Sequence, residues 1–442
     1  MKCLKRIVLY DTMNWKIIYE VRSGYMNMSL KSKRILGING IGRIGKLTLW
    51  NHVNLQHFDG IVINAGREVG KKVEDILHYL ITDTTYGSLN HFLYGYTGKS
   101  CDAKVLNESA CIFEINGMPV KVLRKERNPK NIDWKKEGVR LVVDCTGQFL
   151  DPTIPADYLK GSLRGHLEAG VEKVIVSAPF KIKDSSQKMP NDSAMFVYGV
   201  NHAKYDPANH YILSAASCTT TGLAHMIKPL LDTKETSHII TASMSTVHAS
   251  TNNQSILDKA PKAGNKDLRK NRSIFNNIIP TSTGAALALE EILPEIKKVG
   301  FMADSVRVPT NTASLIALNI TFRTGLNENG EPVINRDFIN NIYKNAAQGA
   351  QKDLLVFSNE QNVSSDIAGS LAAVTIEGHE THTRTGFLSL DAASLREYGI
   401  DTVQDINLPV THAKIFGWYD NEFGSYVNCL GKLTVYVDKN ML

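Results

Sequence analysis

The sequence predicts an α/β fold in two parts: a Rossmann-type parallel-sheet dinucleotide-binding domain, and an α+β catalytic domain built on a mixed or antiparallel sheet. Three observations predict it. In the first half, short apolar runs bounded by turns alternate with helical stretches, the pattern of a parallel sheet covered on both faces. A glycine-rich turn, Gly40-x-Gly42-x-x-Gly45, follows the first of those runs. After Cys218 the texture changes to longer β-branched segments.

Taken in order, residues 1–33 read as a basic leader with only Asp11 and Glu20 as acids. Its apolar stretch, Ile7-Val8-Leu9-Tyr10, falls short of the roughly 7–15 residues of a secretory core. A disordered extension is expected, or an upstream start ahead of Met26 or Met28; an organellar transit role is the alternative. Residues 35–39 then read as a buried strand, the glycine turn follows, and a helix runs through Leu47, Leu49 and Trp50. Residues 61–64, 141–144 and 174–177 are further buried strands. In the second half, residues 239–247, 314–321 and 372–376 are the longer β-branched runs. Between the first two lies a basic, Asn-rich stretch from Asp258 to Asn277, without periodicity, which reads as a long functional loop. The expected organisation is a dinucleotide-binding domain of residues 34–217 and 421–442, and a catalytic domain of residues 218–420.

Bulk properties exclude several classes. With 442 residues, 43% hydrophobic and 21% charged, the chain has ordinary globular composition and room for two or three cores. A formal charge of +6 suits anionic substrates but does not call for nucleic acid. No apolar run approaches the ~18 residues of a membrane span, so no membrane partner is expected. The six cysteines, Cys3, Cys101, Cys111, Cys145, Cys218 and Cys429, show no metal-binding spacing. They read as reduced thiols of a cytoplasmic protein, and no metal site is expected.

Three motifs carry chemistry. Gly40, Gly42 and Gly45 allow a tight turn and close backbone approach, and the helix N-terminus behind them offers free N–H groups to a pyrophosphate. The motif alone is weak, but the strand–turn–helix context is the required one. At the end of the second strand an NAD site usually carries Asp or Glu; here the chain reads Asn64-Ala65-Gly66-Arg67, with Lys71 and Lys72 beyond. Loss of a carboxylate and gain of cations favours a 2′-phosphate, so NAD, NADP or both are expected. Ser217-Cys218-Thr219-Thr220-Thr221 places Cys218 where a strand ends and Leu223, Met226, Ile227 and Leu230 begin a helix. A thiol at a helix N-terminus among hydroxyls is poised as a nucleophile rather than as inert core. His248, in Thr246-Val247-His248-Ala249-Ser250-Thr251, closes a β-run and is the candidate acid/base partner. Once protonated, it is expected to help hold the thiolate.

On these residues the chain resembles phosphorylating glyceraldehyde-3-phosphate dehydrogenases over about residues 34–442. Matching segments are residues 38–45, 217–220, 246–251, Asp267-Leu268-Arg269, 279–286, Arg307-Val308-Pro309-Thr310 and Trp418-Tyr419-Asp420-Asn421-Glu422. The resemblance implies Cys218 as nucleophile and His248 as its base. It implies Thr251 and Arg307 for the substrate's own phosphate, and Ser217, Thr219, Thr283 and Gly284 for attacking inorganic phosphate. It implies Arg43 and Ile44 at the cofactor pyrophosphate, Arg127, Thr146, Gly147 and Ser177 along the adenosine and nicotinamide path, and Asn421 on the nicotinamide amide. The implied reaction is reversible oxidation and phosphorylation of glyceraldehyde 3-phosphate in glycolysis or gluconeogenesis, by a homotetramer. Alternatives are an erythrose-4-phosphate dehydrogenase, a semialdehyde dehydrogenase, and a cofactor-binding regulatory protein without catalysis. Departures from the family pattern are Ala65, Ala215, Gly222, and the order Ser425-Tyr426. Residues 151–168 and 359–410 read as extra length.

Cofactor choice is testable at once. With Ala65 unable to repel a 2′-phosphate and Arg67 two residues on, kcat/KM with NADP should lie no more than about tenfold below that with NAD, ~1.4 kcal/mol. Ala65→Asp should shift preference toward NAD, and Arg67→Ala should weaken NADP selectively. Wild-type discrimination beyond about a thousandfold, ~4 kcal/mol, overturns the charge argument.

Overall fold

The computed structural model describes residues 34–265 and 267–441, so the basic leader lies outside it. Two sheets organise these residues. The first has nine strands, in spatial order Ser193–Met195, Ile212–Ser214, Lys173–Val176, Val139–Asp144, Ile35–Asn39, Gly60–Asn64, Met118–Leu123, Ile112–Ile115 and Ala103–Asn107. The first seven run parallel and the last two complete an antiparallel edge. The sequence reason is visible in burial: all five residues of Ile35–Asn39 and of Gly60–Asn64 are buried, as a central strand covered on both faces requires. The Arg43–Leu55 helix crosses over one face and buries Leu47, Leu49, Trp50 and Val53. Trp50 satisfies its indole by donating Nε1–H to Leu80 O at 2.6 Å. The C-terminal helix, Cys429–Lys439, adds Leu430, Leu433 and Val437 to the same core.

The second sheet is mixed, in the order Ile279–Thr281, Met302–Val308, Ile239–Ala249, Ser314–Arg323, Ile406–Tyr419, Val374–Glu377 and Leu355–Ser358. Ser314–Arg323 alternates buried and half-buried residues, the period of two expected of a strand with one face on a core. That face meets the Cys218–Asp232 helix, whose Leu223, Met226, Ile227 and Leu230 pack with Ile316, Leu318 and Ile415. Register matters for function. The parallel pairing of Ile239–Ala249 with Met302–Val308 sets His248 opposite Arg307, and the antiparallel pairing of Ser314–Arg323 with Ile406–Tyr419 sets Ser314 opposite Tyr419.

Of the two stretches of extra length, residues 151–168 form turns and the short Leu163–Glu168 helix, held by the two-fold Arg164–Asp192 ion pair. Residues 359–410 divide. Val374–Glu377 belongs to the main sheet, whereas His382–Leu390 pairs with residues 406–414 as a ribbon closed by the Ala392–Glu397 helix. The loop from Asp258 to Asn277 carries one short 3-10 turn, Leu268–Asn271, and is otherwise irregular among the described residues. No helix of the described residues is long and apolar enough to cross a membrane.

Two histidines are sealed into the cores. Burial pushes the imidazole of His52 down to about 3 and that of His225 to about 4, from an ordinary value of 6.5. Neither ring nitrogen of His52 has a hydrogen-bond partner. Below 6.5 the unfolded chain binds protons here that the folded chain refuses, so stability falls as pH drops toward those depressed values. Replacing His52 with Leu should flatten the slope of unfolding free energy against pH, between about pH 6 and pH 4, by about 1.4 kcal/mol per pH unit. Denaturant titrations giving the wild-type slope would contradict this.

Candidate active site

The first sheet shapes the glycine turn into a cradle that a phosphate would fit. Gly40, at φ +98°, donates its N–H to Asn64 O at 2.8 Å, closing the turn between the two central strands. A Cβ on Gly45 would collide with the Gly40 carbonyl, whereas one on Gly42 would meet open space, so the turn is tight inside and free on the side a pyrophosphate approaches. The helix carrying Arg43 and Ile44 starts there. The Arg43 side chain, however, is committed elsewhere: its Nε donates to Glu422 at 3.0 Å and its Nη1 to Asp83, so only the backbone of Arg43 and Ile44 is left for an anion. Beside the turn, a cavity of about 250 Å³ is lined by Asn64, Ala65, Arg67, Arg127 and Thr146, with Phe149 across from them. Arg127 donates to Gly66 O at 3.0 Å and stands on its rim. Cationic side chains, backbone groups and an aromatic ring around a space of this size fit an adenosine and its phosphate. Thr146 is held by Asp144, and Gly147 follows it at φ +64°. Beneath the floor runs a buried chain of polar groups. Trp134 donates to His166 Nδ1, which leaves Nε2–H to donate to Asp144; Asn39 donates to Asp144 and Asn64 to Asn39.

A thiol and an imidazole meet where the helix that follows a first-sheet strand starts beside the end of a second-sheet strand. Ser217 caps the Cys218–Asp232 helix, its Oγ accepting from Thr220 N at 3.1 Å, so Cys218 is the first helical residue. Its Sγ lies 3.4 Å from His248 Nε2. Arg307 Nη1 lies 2.6 Å from His248 Nδ1 and 3.0 Å from Ala249 O. A guanidinium only donates, so Nδ1 accepts from it and the ring proton sits on Nε2. Ala249 O, 2.8 Å from the same Nδ1, offers the alternative. If Arg307 is drawn away, Nδ1–H donates to Ala249 O and Nε2 presents a lone pair to the thiol.

Electrostatics corrects one expectation. Burial, then Arg307, pushes His248 down to about 3, so its resting state is a neutral imidazole and not the imidazolium expected to hold a thiolate. Burial also raises the Cys218 thiol, against the opposing pull of Arg307 and of Thr219. Burial raises the other thiols among the described residues as well. Burial lifts Cys145 and Cys429 to about 12. Cys145 and His166 form no comparable pair, since both His166 ring nitrogens are engaged by Trp134 and Asp144.

Other expected residues surround this pair. Thr251 N and Oγ1 both donate to Gln254 Oε1 at 2.9 Å. Ser250 donates twice to Thr310 O, which ties the Thr251 turn to the strand end beyond Arg307. Arg307 Nε and Thr310 Oγ1 are buried without hydrogen-bond partners, polar groups that an anion would satisfy. Thr283 Oγ1 accepts from Ala285 N, and Gly284, with nothing near its Cβ position, caps the Ala285–Ile292 helix. Asn421 accepts from Ser314 Oγ at 2.9 Å, which orients its amide. Ser177 N donates to Asp144 O, at the end of the adjoining strand. Thr219 Oγ1 lies 3.0 Å from Tyr419 OH and also bonds the Cys218 thiol. Tyr419 was given no role by the sequence, yet it also bonds Thr246 Oγ1 at 2.8 Å and so joins the nucleophile helix to the His248 strand. Nothing but its place in a matching segment signalled it.

Residues 34–152 match the family model described as the glyceraldehyde 3-phosphate dehydrogenase NAD binding domain, and residues 217–421 match that of the C-terminal domain. A glyceraldehyde-3-phosphate dehydrogenase of Streptomyces coelicolor is 35% identical over 408 residues, covering 92% of this chain and 99% of its own. Glyceraldehyde-3-phosphate dehydrogenase 1 of Bacillus subtilis is 34% identical over 407 residues, covering 92% and 99%. The cytosolic enzyme of Chlamydomonas reinhardtii is 32% identical over 411 residues, covering 93% and 98%.

Proposed function

The chain belongs to the glyceraldehyde 3-phosphate dehydrogenase family, and from that premise we propose how its own residues perform the reaction. It is an NAD(P)-dependent oxidoreductase that converts glyceraldehyde 3-phosphate and inorganic phosphate to 1,3-bisphosphoglycerate, reversibly. The observation that carries the residue assignment is the Cys218 Sγ–His248 Nε2 contact at 3.4 Å, at the first turn of a helix, with Arg307 on the far ring nitrogen.

The substrate's phosphate takes Arg307 and Thr251. That withdraws Arg307 from His248 Nδ1, which then donates to Ala249 O, and Nε2 becomes a base facing the thiol. Cys218 Sγ bonds to the aldehyde carbon while its proton passes to Nε2 and on to the carbonyl oxygen, giving a hemithioacetal. The Cys218 N–H stabilises the developing oxyanion. His248 next takes the hydroxyl proton as the carbon loses hydride, leaving a thioester on Cys218. Bound NAD(P) supplies the hydride acceptor. Inorganic phosphate, placed by Ser217, Thr219, Thr283 and Gly284, attacks the thioester carbon; the C–S bond breaks, acyl phosphate leaves, and the sulfur regains its proton from His248. The thioester retains the free energy of oxidation for the phosphoryl product. Gly40, Gly42, Arg43, Ile44, Gly45, Asn64, Arg67, Arg127, Thr146, Gly147, Ser177 and Asn421 bind the cofactor. Residues 34–217 with 421–442 form the cofactor-binding domain, and 218–420 the catalytic domain. Its location is cytoplasmic.

Cys218→Ser should abolish turnover while leaving cofactor binding intact, and His248→Asn should lower kcat by about 10²–10⁴. Wild-type alkylation of Cys218 should rise with pH through the neutral range without an inflection near the ordinary histidine value of 6.5, because His248 stays neutral and the thiol is raised. Turnover should require inorganic phosphate; equal rates without it would favour hydrolysis of the thioester, and an active Cys218→Ser would remove the assignment.

The polar loop from Asp258 to Asn277 exposes Leu268 and Phe275, which its own chain does not cover. We assign it to a contact between subunits of a homotetramer with closed symmetry. Light scattering on dilute enzyme should give four chains per particle, and a fully active monomer would contradict the assignment.

A further inference from the structure

Beyond Asn421 the chain enters a π-helix, Phe423–Asn428, and two adjacent residues of it reach the nucleophile's backbone. Ser425 Oγ donates to the carbonyl of Cys218 at 2.6 Å. Tyr426 OH donates to the carbonyl of Ala216 at 3.2 Å. Isolated π turns are rare and concentrate at functional sites. Here the turn carries the Ser425-Tyr426 order that departs from the family pattern.

The two carbonyls flank the nucleophile, and one of them belongs to a strained residue. Ala216 has φ +57°, the left-handed region that residues with a Cβ avoid. It lies between the strand end at Ser214 and the helix start at Cys218, so its conformation sets the direction in which the helix leaves the sheet. Its N–H donates to Ser214 Oγ at 3.0 Å, and Ser214 Oγ in turn donates to Ala178 O at 2.7 Å. With Tyr426 on its carbonyl, both backbone groups of the strained residue are held by side chains, which is what lets such a conformation persist. At the helix start, Ser425 sits over Gly222. A Cβ on Gly222 would come within 3.2 Å of Ser425 Oγ and 3.4 Å of Ala373 O, so the bare glycine leaves room for the Ser425 hydroxyl at the helix.

We propose that Tyr426 and Ser425 are positioning residues for Cys218, their hydroxyls holding the carbonyls on either side of it so that Sγ meets His248 Nε2. The proposal rests on the reading of Cys218 as nucleophile. Neither hydroxyl bonds His248 or Arg307; Ser425 acts through the backbone, and Tyr426, besides holding Ala216 O, bonds Ser177 and lies close enough to the Cys218 thiol to feel its charge. The other groups near the thiol, His248, Arg307, Thr219 and Tyr419, lie outside the π turn and have contacts that do not run through these two hydroxyls.

The test uses full-length enzyme carrying Tyr426→Phe or Ser425→Ala, with kcat, KM for the aldehyde, the iodoacetamide alkylation rate of Cys218 at neutral pH, and Tm. Misplacement of a reacting atom costs up to about a hundredfold. Tyr426→Phe, which keeps the ring, should therefore lower kcat by about tenfold or more, with KM within about twofold, and slow alkylation of Cys218 in parallel. Ser425→Ala should act in the same direction. A variant that loses Tm but keeps wild-type kcat and alkylation shows packing alone and overturns the proposal. If Tyr426→Phe does not fold, Ser425→Ala decides by the same criterion. Cys218→Ser run beside them separates the two readings. An active Cys218→Ser removes the nucleophile assignment itself, whereas an inactive Cys218→Ser with wild-type kcat and alkylation in both hydroxyl variants removes only the positioning role.

Discussion

One buried carboxylate ties the two halves of the site together. Asp420 is fully buried, and its oxygens accept from Tyr86 OH, Thr312 Oγ1 and the backbone N–H groups of Glu422, Phe423 and Gly369. Tyr86 follows the Arg43–Leu55 crossover of the first sheet, Thr312 and Gly369 belong to the second half, and Glu422 and Phe423 open the π turn. A carboxylate taken out of water is costly unless its lone pairs are filled, and here five donors from four segments fill them. The cost of breaking any one of these contacts keeps the corner at residues 420–422 in a single place. Asn421 and Glu422 inherit that placement: one accepts from Ser314 Oγ, and the other pairs with Arg43 in the glycine turn.

That pairing changes what the glycine turn asks of its arginine. Burial works against the charge on Arg43, but Glu422 and Asp83 outweigh it, so the guanidinium stays charged and stays put. The side chain braces the turn against the C-terminal corner, and the work of meeting a pyrophosphate falls to backbone N–H groups at a helix start. This division suits a site that must bind and release its cofactor at each turnover, since oriented amides bind an anion without a full counter-charge.

The nucleophile sits in a comparable compromise. Enclosure excludes water and strengthens each local interaction, but it also raises the Cys218 thiol and discharges His248. Arg307 opposes the first effect, drawing the thiol back down, and reinforces the second. Arg307 meets His248 Nδ1 while its own Nε is buried without a partner, so an anion arriving there would compete with the ring for the guanidinium.

Much of this was legible in the sequence, for a physical reason. Strand and helix periods, the glycine turn, the helix-starting Cys218 and the strand-ending His248 are local properties, dictated by side-chain alternation, backbone freedom and capping within a few residues. The Asn64-Ala65-Gly66-Arg67 rim is local in the same sense. What sequence could not supply was distance across the chain. That Cys218 and His248 touch, that Arg307 stands on the far side of the ring, and that Arg43 is spent on Glu422 are decided by strand register and by the packing of one sheet beside another. Tyr419, Asp420, Ser425 and Tyr426 were visible only as letters in or beside a matching segment, because an aromatic hydroxyl, a serine or a single acid has no distinctive spacing; each acquires its role only when folding removes water and leaves particular partners within reach. The charge states followed the same rule: the sequence placed a histidine beside a cysteine's reaction, and only burial in the tertiary structure decided that it rests neutral.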